Sequence, residues 1–447
     1  MKKFIWCQKG WVTPFSVLVL ASCFTVAGLA IDIANLYRAQ TQLQVVADSS
    51  AHAALYTREL NEAEIAKVAA VNVARAQMNV TRFGEVLEAG DIVFGSWSIE
   101  NQVFTPNTNG TTAVYVTTER SQADSNPVST FLLRITGFAE ADVIAESIFI
   151  TYRPTCLREG LAAEGIVDMQ SNNTFVNRFC VHSNTHVELN IDNTYEAGSI
   201  VSMPDRTEVV LPASGYEQND GLSSALRDGH YTLKILDRLD DIYAGLLTFD
   251  PEYLPDYITS TDIVVRSDRV MQTEDFTPNS IHVMNCPGGR TVRVHDPGSA
   301  PAGVDDSSTE SSLWKTLSDV VIITDCDVQF GEGLKLENVV VFTRSTSSDS
   351  VNAPTSLQIG RDDGCNGDGG AQIISYGSVV TGQNVHMYGG QIIAKGDVQI
   401  VANATGIEGA SIIAGGNIDS TSRAEWGFCG ADGMNGNYEA DYFRLAL

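Results

Sequence analysis

The 447 residues carry 55 Asp and Glu against 28 Lys and Arg, a net charge of -27, with 43% hydrophobic and 19% charged residues. That apolar content supports sizeable cores and excludes bulk disorder, and the length suggests roughly three structural units. So acidic a balance repels nucleic acid and anionic lipid, which excludes a nucleic-acid-binding role for the main body.

The first predicted element is an apolar helix. Between Lys9 and Asp32 lie 22 residues without a charge (32 − 9 − 1 = 22). At 1.5 Å per helical residue they span roughly 33 Å, enough for a bilayer core. Val12, Phe15, Val17, Leu18, Val19, Leu20, Phe24, Val26, Leu29 and Ile31 each favour insertion, together on the order of 3–6 kcal/mol. Lys2, Lys3 and Lys9 precede the segment, and Arg38 is the only basic residue in the next turns. The positive-inside rule therefore predicts a single-pass protein with its N-terminus in the cytoplasm and its main body outside. Leu20-Ala21-Ser22-Cys23 also resembles a lipobox, which would place a lipid on Cys23. Phe24 to Ile31 stays apolar where a lipoprotein tether turns polar, so the spanning helix is preferred.

Beyond Ile31, Leu36, Ala39, Leu43, Ala47, Ser50 and Ala54 recur at spacings of three and four, a small-residue seam for close helix packing. Asn61 and Glu64 have the spacing of a capping pair. They predict a second helix with Ile65, Val68, Ala69 and Val73 on its inner face, completing a hairpin above the membrane. The seam serves either this helical core or self-association through the N-terminal helix.

The stretch AIDIANLYRAQTQLQVVADSSAHAA (residues 30–54) resembles the N-terminal region of TadG-like Tad (Flp) pilus-assembly proteins. The likeness continues through DIVFGSWS (91–98), AVYVTTER (113–120), NPVSTFLLRITG (126–137) and ADVIAESI (141–148), and covers about residues 8–150. These pieces read as short strands separated by turns. The resemblance implies a role in building adhesive pili or a related secretion apparatus at the bacterial inner membrane, with other Tad-like components as partners and no reaction. Two features depart from that pattern. Phe15 stands where pseudopilins carry a Glu after the processed glycine, here Gly10, which argues against prepilin processing. A DxSxS metal motif is also missing: VVIITDCDVQ lacks the serines, and Asp305-Asp306-Ser307-Ser308-Thr309 has no hydrophobic strand before it.

The remainder reads as a repeat. Gln372-Ile373-Ile374-Ser375-Tyr376-Gly377-Ser378-Val379, Gln391-Ile392-Ile393-Ala394-Lys395-Gly396-Asp397-Val398 and Ser411-Ile412-Ile413-Ala414-Gly415-Gly416-Asn417-Ile418 recur at offsets of 19 and 20 (391 − 372; 411 − 391). A weaker copy starts at Ile322, and Val181 and Ile200 show a similar offset. Short apolar strands with glycine corners near a period of 20 predict a parallel β-helix, whose rungs bury their apolar faces only by stacking. The corner glycines are expected at positive φ. An antiparallel sandwich is the rival, but it does not need the same octet in every rung. LKILDRLDDIYAGLL interrupts the pattern as an amphipathic helix offering Leu233, Ile235, Leu236, Leu239 and Ile242 for packing. The predicted fold is thus a membrane-anchored α+β protein. Residues 1–31 form a cytoplasmic stub and transmembrane helix, and residues 32–153 a helical hairpin with a small β unit. Residues 154–447 form a right-handed parallel β-helix-like all-β domain with a helical insertion near 220–258.

Six cysteines outside the N-terminal segment (Cys156, Cys180, Cys286, Cys326, Cys365, Cys429) form no CxxC pair and fit disulfides in an oxidising compartment. Sequential pairing is the simplest of 15 arrangements. Three constellations bear on chemistry. Cys180, His182 and His186 alternate along a strand, where they would hold zinc or copper given a fourth ligand. Asp325 and Asp327 sit roughly 7 Å apart along a strand, a spacing met in glycoside hydrolysis. Asp362, Asp363, Asn366 and Asp368 lie in a Gly-rich loop that offers oxygens to calcium. For each the plainer reading is preferred: a disulfide with rung histidines, a solvated rung surface and a solvated turn. No catalytic residue, metal or cofactor is therefore assigned. The expected function is a non-enzymatic envelope protein; the alternative is a polysaccharide-binding or polysaccharide-cleaving β-helix, and a third reading, a lipid-anchored adhesin, depends on Cys23.

Overall fold

The computed structural model describes residues 12–176, 178–286, 291–295, 314–400, 407–420 and 422–446; Cys7, Gly10 and Asp305–Thr309 lie outside them. Contacts divide the chain into two compact units: one takes residues up to Tyr152 together with those from Asp441 onward, the other Arg153–Ala440.

The first unit begins with helix α1 (Val12–Arg58). Its most apolar window has a mean hydropathy of 2.2, and every residue from Thr13 to Ile31 except Gly28 is exposed. A helix that leaves this much apolar surface uncovered by its own chain is long and apolar enough to cross a bilayer. At Asp32 the pattern changes. Ala39, Leu43, Ala47, Ser50 and Ala54 are buried together with Val46, Ala51 and Leu55, the 3.6-residue signature of a packed face.

Helix α2 (Ala63–Gln77) lies against that seam. Its inner face is Ala66, Ala70, Val71 and Ala74, while Ile65 and Val68 are exposed. The expected face is therefore wrong by about a third of a turn: small residues on α1 meet small residues on α2, and close backbone approach outweighs burying the larger side chains. Nor does Asn61 cap the helix. The N-cap is Glu62, and Asn61 donates its amide to the Thr57 carbonyl instead.

Four strands, β1 (Ile92–Ser98), β2 (Val103–Pro106), β3 (Ala113–Arg120) and β4 (Val143–Tyr152), form an antiparallel sheet in the order β2-β1-β3-β4. Alternate residues Phe94, Val114, Val116 and Ala145 pack with the α1 seam in one core, and Thr118 Oγ1 donates to the Leu43 carbonyl at 3.0 Å. Tyr442–Leu445 completes this sheet beside β4, pairing Tyr442 with Tyr152, so the chain's last strand does not belong with the β domain to which residues 154–447 were expected to contribute throughout. Of NPVSTFLLRITG only Val128–Ser129 is a strand, and Leu133–Thr136 is a 3₁₀ turn.

The second unit is β-rich, and its strands pair in parallel. Gly160–Ala163, Val167–Met169 and Thr174–Phe175 make one rung, and Cys180–Ser183, Val187–Leu189 and Asn193–Tyr195 make the next. Val181 stacks on Leu161, Glu188 on Asp168 and Thr194 on Thr174, all offset by 20. The three octets stack directly, Ile373 on Ile392 on Ile412. Val181 pairs with Val201 rather than Ile200. Leu161, Val201, Ile322, Val341, Ile373 and Ile412 belong to one continuous core.

The order of rungs in space differs from their order in sequence. The rung of Ser411 stacks on that of Gly160 in all three ladders. From there the stack runs one way through Cys180 and Val201 to Leu226. The other way it runs back through Gln391, Gln372, Val339, Val320 and Ile281 to Ile263. The chain thus enters and leaves near the middle, and residues 229–262 carry it past ten ladder spacings, roughly 48 Å at about 4.8 Å each. Helix α3 (Leu239–Thr248) lies on that path with Leu239, Ile242 and Leu246 buried. Its Tyr243 ring packs 5.5 Å from Phe342, covering an outer face of the ladders.

The corner glycines are needed for closeness, not for φ. Gly377, Gly396 and Gly416 are absent from the positive-φ residues. They stack on one another, Gly396 N–H donating to Gly377 and Gly416 N–H to Gly396 at 3.1 and 3.0 Å. A β-carbon on Gly396 would sit 2.9 Å from the Gly377 carbonyl carbon, a clash only glycine avoids.

Candidate functional site

The exposed half of α1 ends at Asp32, whose carboxylate is fully buried and accepts the backbone N–H groups of Phe131, Leu132 and Leu133 at 2.6, 2.8 and 2.6 Å. Charge-assisted bonds of this kind hold a carboxylate at the boundary between apolar and packed helix. Immediately beyond, Ile33, Leu36, Tyr37, Ala141, Val143 and Ile144 line an open groove of about 350 Å³ between α1 and the start of β4. This apolar run and groove are left uncovered by the first unit, a surface suited to lipid or to another apolar helix.

The sequence-derived constellations are placed as follows. Cys180 is bonded to Cys156, Cys286 to Cys326 and Cys365 to Cys429, the sequential pairing. His182 is buried; its Nδ1 lies 2.7 Å from Ser202 Oγ and its Nε2 2.9 Å from Asn184 Oδ1. Burial holds its imidazole below the ordinary histidine range. His186 stands beyond the corner, 3.0 Å from Glu188. The three side chains are therefore committed to different partners. Asp325 and Asp327 do not share a strand: one strand ends at Thr324 and the next begins at Asp327, with the Cys326 disulfide at the corner. Asp325 lies 3.9 Å from Arg344, and Asp327 accepts from the Ser345 and Ser347 hydroxyls. Asp363 accepts the Asn366 N–H at 2.9 Å, closing a local turn. Cys365, Glu408 and Cys429 gather their ligand atoms closely, but the disulfide removes both thiolates. Cys23 is free and exposed on the apolar part of α1.

Two features of the second unit were not anticipated. A polar cleft of about 470 Å³ is lined by Glu252, Tyr253, Asp256, Asp368, Asn437 and Tyr438 among others, a volume within the usual ligand range. Tyr438 donates its hydroxyl to the Tyr253 carbonyl at 3.0 Å, and burial pushes the neighbouring Tyr257 hydroxyl well up. These residues come from segments about 115 and 70 apart in sequence, so no local pattern announced them. Glu159 is the second. It is fully buried, one oxygen accepting the Cys429 N–H at 2.7 Å and the other without a partner. Burial pushes its carboxyl up to about 7, against the opposing pull of the Cys429 and Gly430 amides and Arg158.

Among the described residues, fold and site together define a protein with one apolar helix long enough to anchor it, a small unit of helices and antiparallel strands at that helix's base and a large unit of parallel ladders. The chain belongs to the family described as a domain of unknown function (DUF7867), matched over residues 160–430. Its N-terminal region is of the Tad pilus-assembly type: a Flp pilus-assembly TadE/G-like model matches residues 10–77 and a Tad-like Flp pilus-assembly model residues 49–148. No curated protein and no solved structure matches the chain.

Proposed function

We propose that this is a non-enzymatic component of a Tad/Flp-type pilus or a related secretion or adhesion system, anchored once in the inner membrane. Its N-terminus lies in the cytoplasm and its main body in the periplasm, where the second unit forms a right-handed parallel β-helix. The observation that carries the reading is the direct continuation of the uncovered apolar helix into the Tad-type hairpin and sheet, with the groove at Ile33–Tyr37 open to a partner. Three disulfides suit an oxidising compartment. Registers of 19 and 20 residues in one continuous core support the β-helix. The partners are the membrane and other components of the same machine. Deleting the chain should abolish Flp-type fibres, and only a version retaining residues 10–31 should restore them; undiminished fibres in the deletion strain reject the proposal.

The polar cleft favours a second reading, a polysaccharide-binding β-helix, because aromatic rings and carboxylates together suit sugar faces and hydroxyls. Glycan-array binding lost in Tyr438→Ala would support it; binding unchanged by that substitution, or none, would reject it.

A further inference from the structure

We infer that the loop Phe131–Phe138 is a second membrane contact: it dips into the leaflet from which α1 emerges, its apolar side chains among the lipid tails and Arg134 at the phosphates. The inference rests on the reading of α1 as a membrane span. Phe131, Leu132, Ile135 and Phe138 are 66%, 38%, 81% and 68% exposed, four large apolar side chains within eight residues. Such a patch seeks cover.

Its position says which cover. Leu132 packs on Gly28, where a β-carbon would collide with the leucine side chain, and Gly28 lies four residues inside the uncharged segment, roughly 6 Å below Asp32 along the helix axis. The loop therefore sits beside the span, level with its last turn, where Phe24, Leu29 and Ile31 are exposed as well. A leaflet that reaches α1 at Gly28 reaches the loop as well.

The backbone is prepared for lipid, where an amide without a partner is costly. Asp32 takes the amides of Phe131, Leu132 and Leu133. The amides of Ile135, Gly137 and Phe138 donate to the carbonyls of Leu132, Arg134 and Leu133, and Thr130 pairs through both amide and hydroxyl across the loop's base. Arg134 is the one charged residue between Val128 and Ala139 and is exposed. Its long stem lets the guanidinium reach the headgroups while neighbouring side chains go deeper. Of the nearby acids, Asp32 is engaged by the loop's own amides, and Glu140 and Asp142 stand past the loop's base; the charge of more distant residues is screened over about 10 Å. Two contacts on one leaflet fix the rotation of α1 about its own axis, which a lone helix leaves free.

The test uses the full chain with Cys7 and Cys23 replaced by serine, reconstituted in phosphatidylethanolamine–phosphatidylglycerol vesicles. Single cysteines at Phe24→Cys, Ile135→Cys and Val45→Cys carry an environment-sensitive fluorophore, and lipids brominated on the acyl chain act as quencher. Val45 is exposed on α1, roughly 20 Å beyond Asp32. The inference expects strong quenching at Phe24 and Ile135 and little at Val45. Quenching at Phe24 without quenching at Ile135 overturns the inference and leaves the span intact, whether the loop is then in water or covered by a second copy. No quenching at Phe24 overturns the span and the inference with it.

Discussion

Gly396 is held to glycine by its neighbours rather than by its own backbone angles. Its α-carbon faces the Gly377 backbone across one ladder spacing, so Gly396→Ala must push two rungs apart. The expected cost is about 1–3 kcal/mol, as for other overpacked sites, read as a lower urea midpoint with an unchanged m-value. Asn173, Asn193 and Asn219 form a related ladder. Asn193 Oδ1 accepts the Asn173 N–H at 2.9 Å, and Asn219 Oδ1 accepts the Asn193 N–H at 3.3 Å. Glu159 makes stability depend on pH. Its folded carboxyl titrates near 7 against an ordinary 4.5. Below 4.5 it is protonated in both states; between 4.5 and 7 the unfolded chain ionises first, so stability falls, by on the order of 3 kcal/mol once pH exceeds 7. Glu159→Gln should remove that slope and melt higher than the wild type at pH 8, while the two differ little at pH 4; identical pH profiles would refute the assignment. The glycine corners were legible in the sequence, but their reason was not, because closeness between rungs is a property of the stack.

At the scale of elements, the seam on α1 could be read from its spacing, whereas the facing surface of α2 could not. Hydrophobic periodicity favours Ile65 and Val68 as inner residues, yet alanines allow the helices nearer, and the closer pairing places Ala66, Ala70 and Ala74 inside. Ala70→Leu should therefore cost about 1–3 kcal/mol through overpacking, whereas Ile65→Ala should stay within about 0.5 kcal/mol; equal effects in thermal melts would contradict the packing described. The carboxylate pair at Asp325 and Asp327 was misplaced for a similar reason. An apolar run that continues up to a corner does not reveal the corner, and the Cys326 disulfide fixes it there.

For the whole molecule, repeated octets announced stacking but left the neighbours of each rung open, since an isoleucine pair fits above any other isoleucine pair. Only the structure places the rung of Ser411 against that of Gly160, with Trp426 and Tyr195 stacked on either side of Phe175, ring centroids 6.4 and 4.8 Å away. A chain ending after Ile400 should consequently lose a central rung, expose strand edges and aggregate, as light scattering would report. Disulfides closing separations of 24, 40 and 64 residues each add about 3–4 kcal/mol by loop entropy, so reduction should lower the melting temperature of the body sharply. All of this presupposes an exported body. The most direct check labels intact spheroplasts with a membrane-impermeant maleimide, comparing a chain whose single free thiol is Cys7 with one, lacking Cys7 and Cys23, that carries Val103→Cys. Labelling at position 103 before lysis, and at Cys7 only after it, is the predicted result; labelling of Cys7 in intact cells, or of position 103 only after lysis, would contradict it.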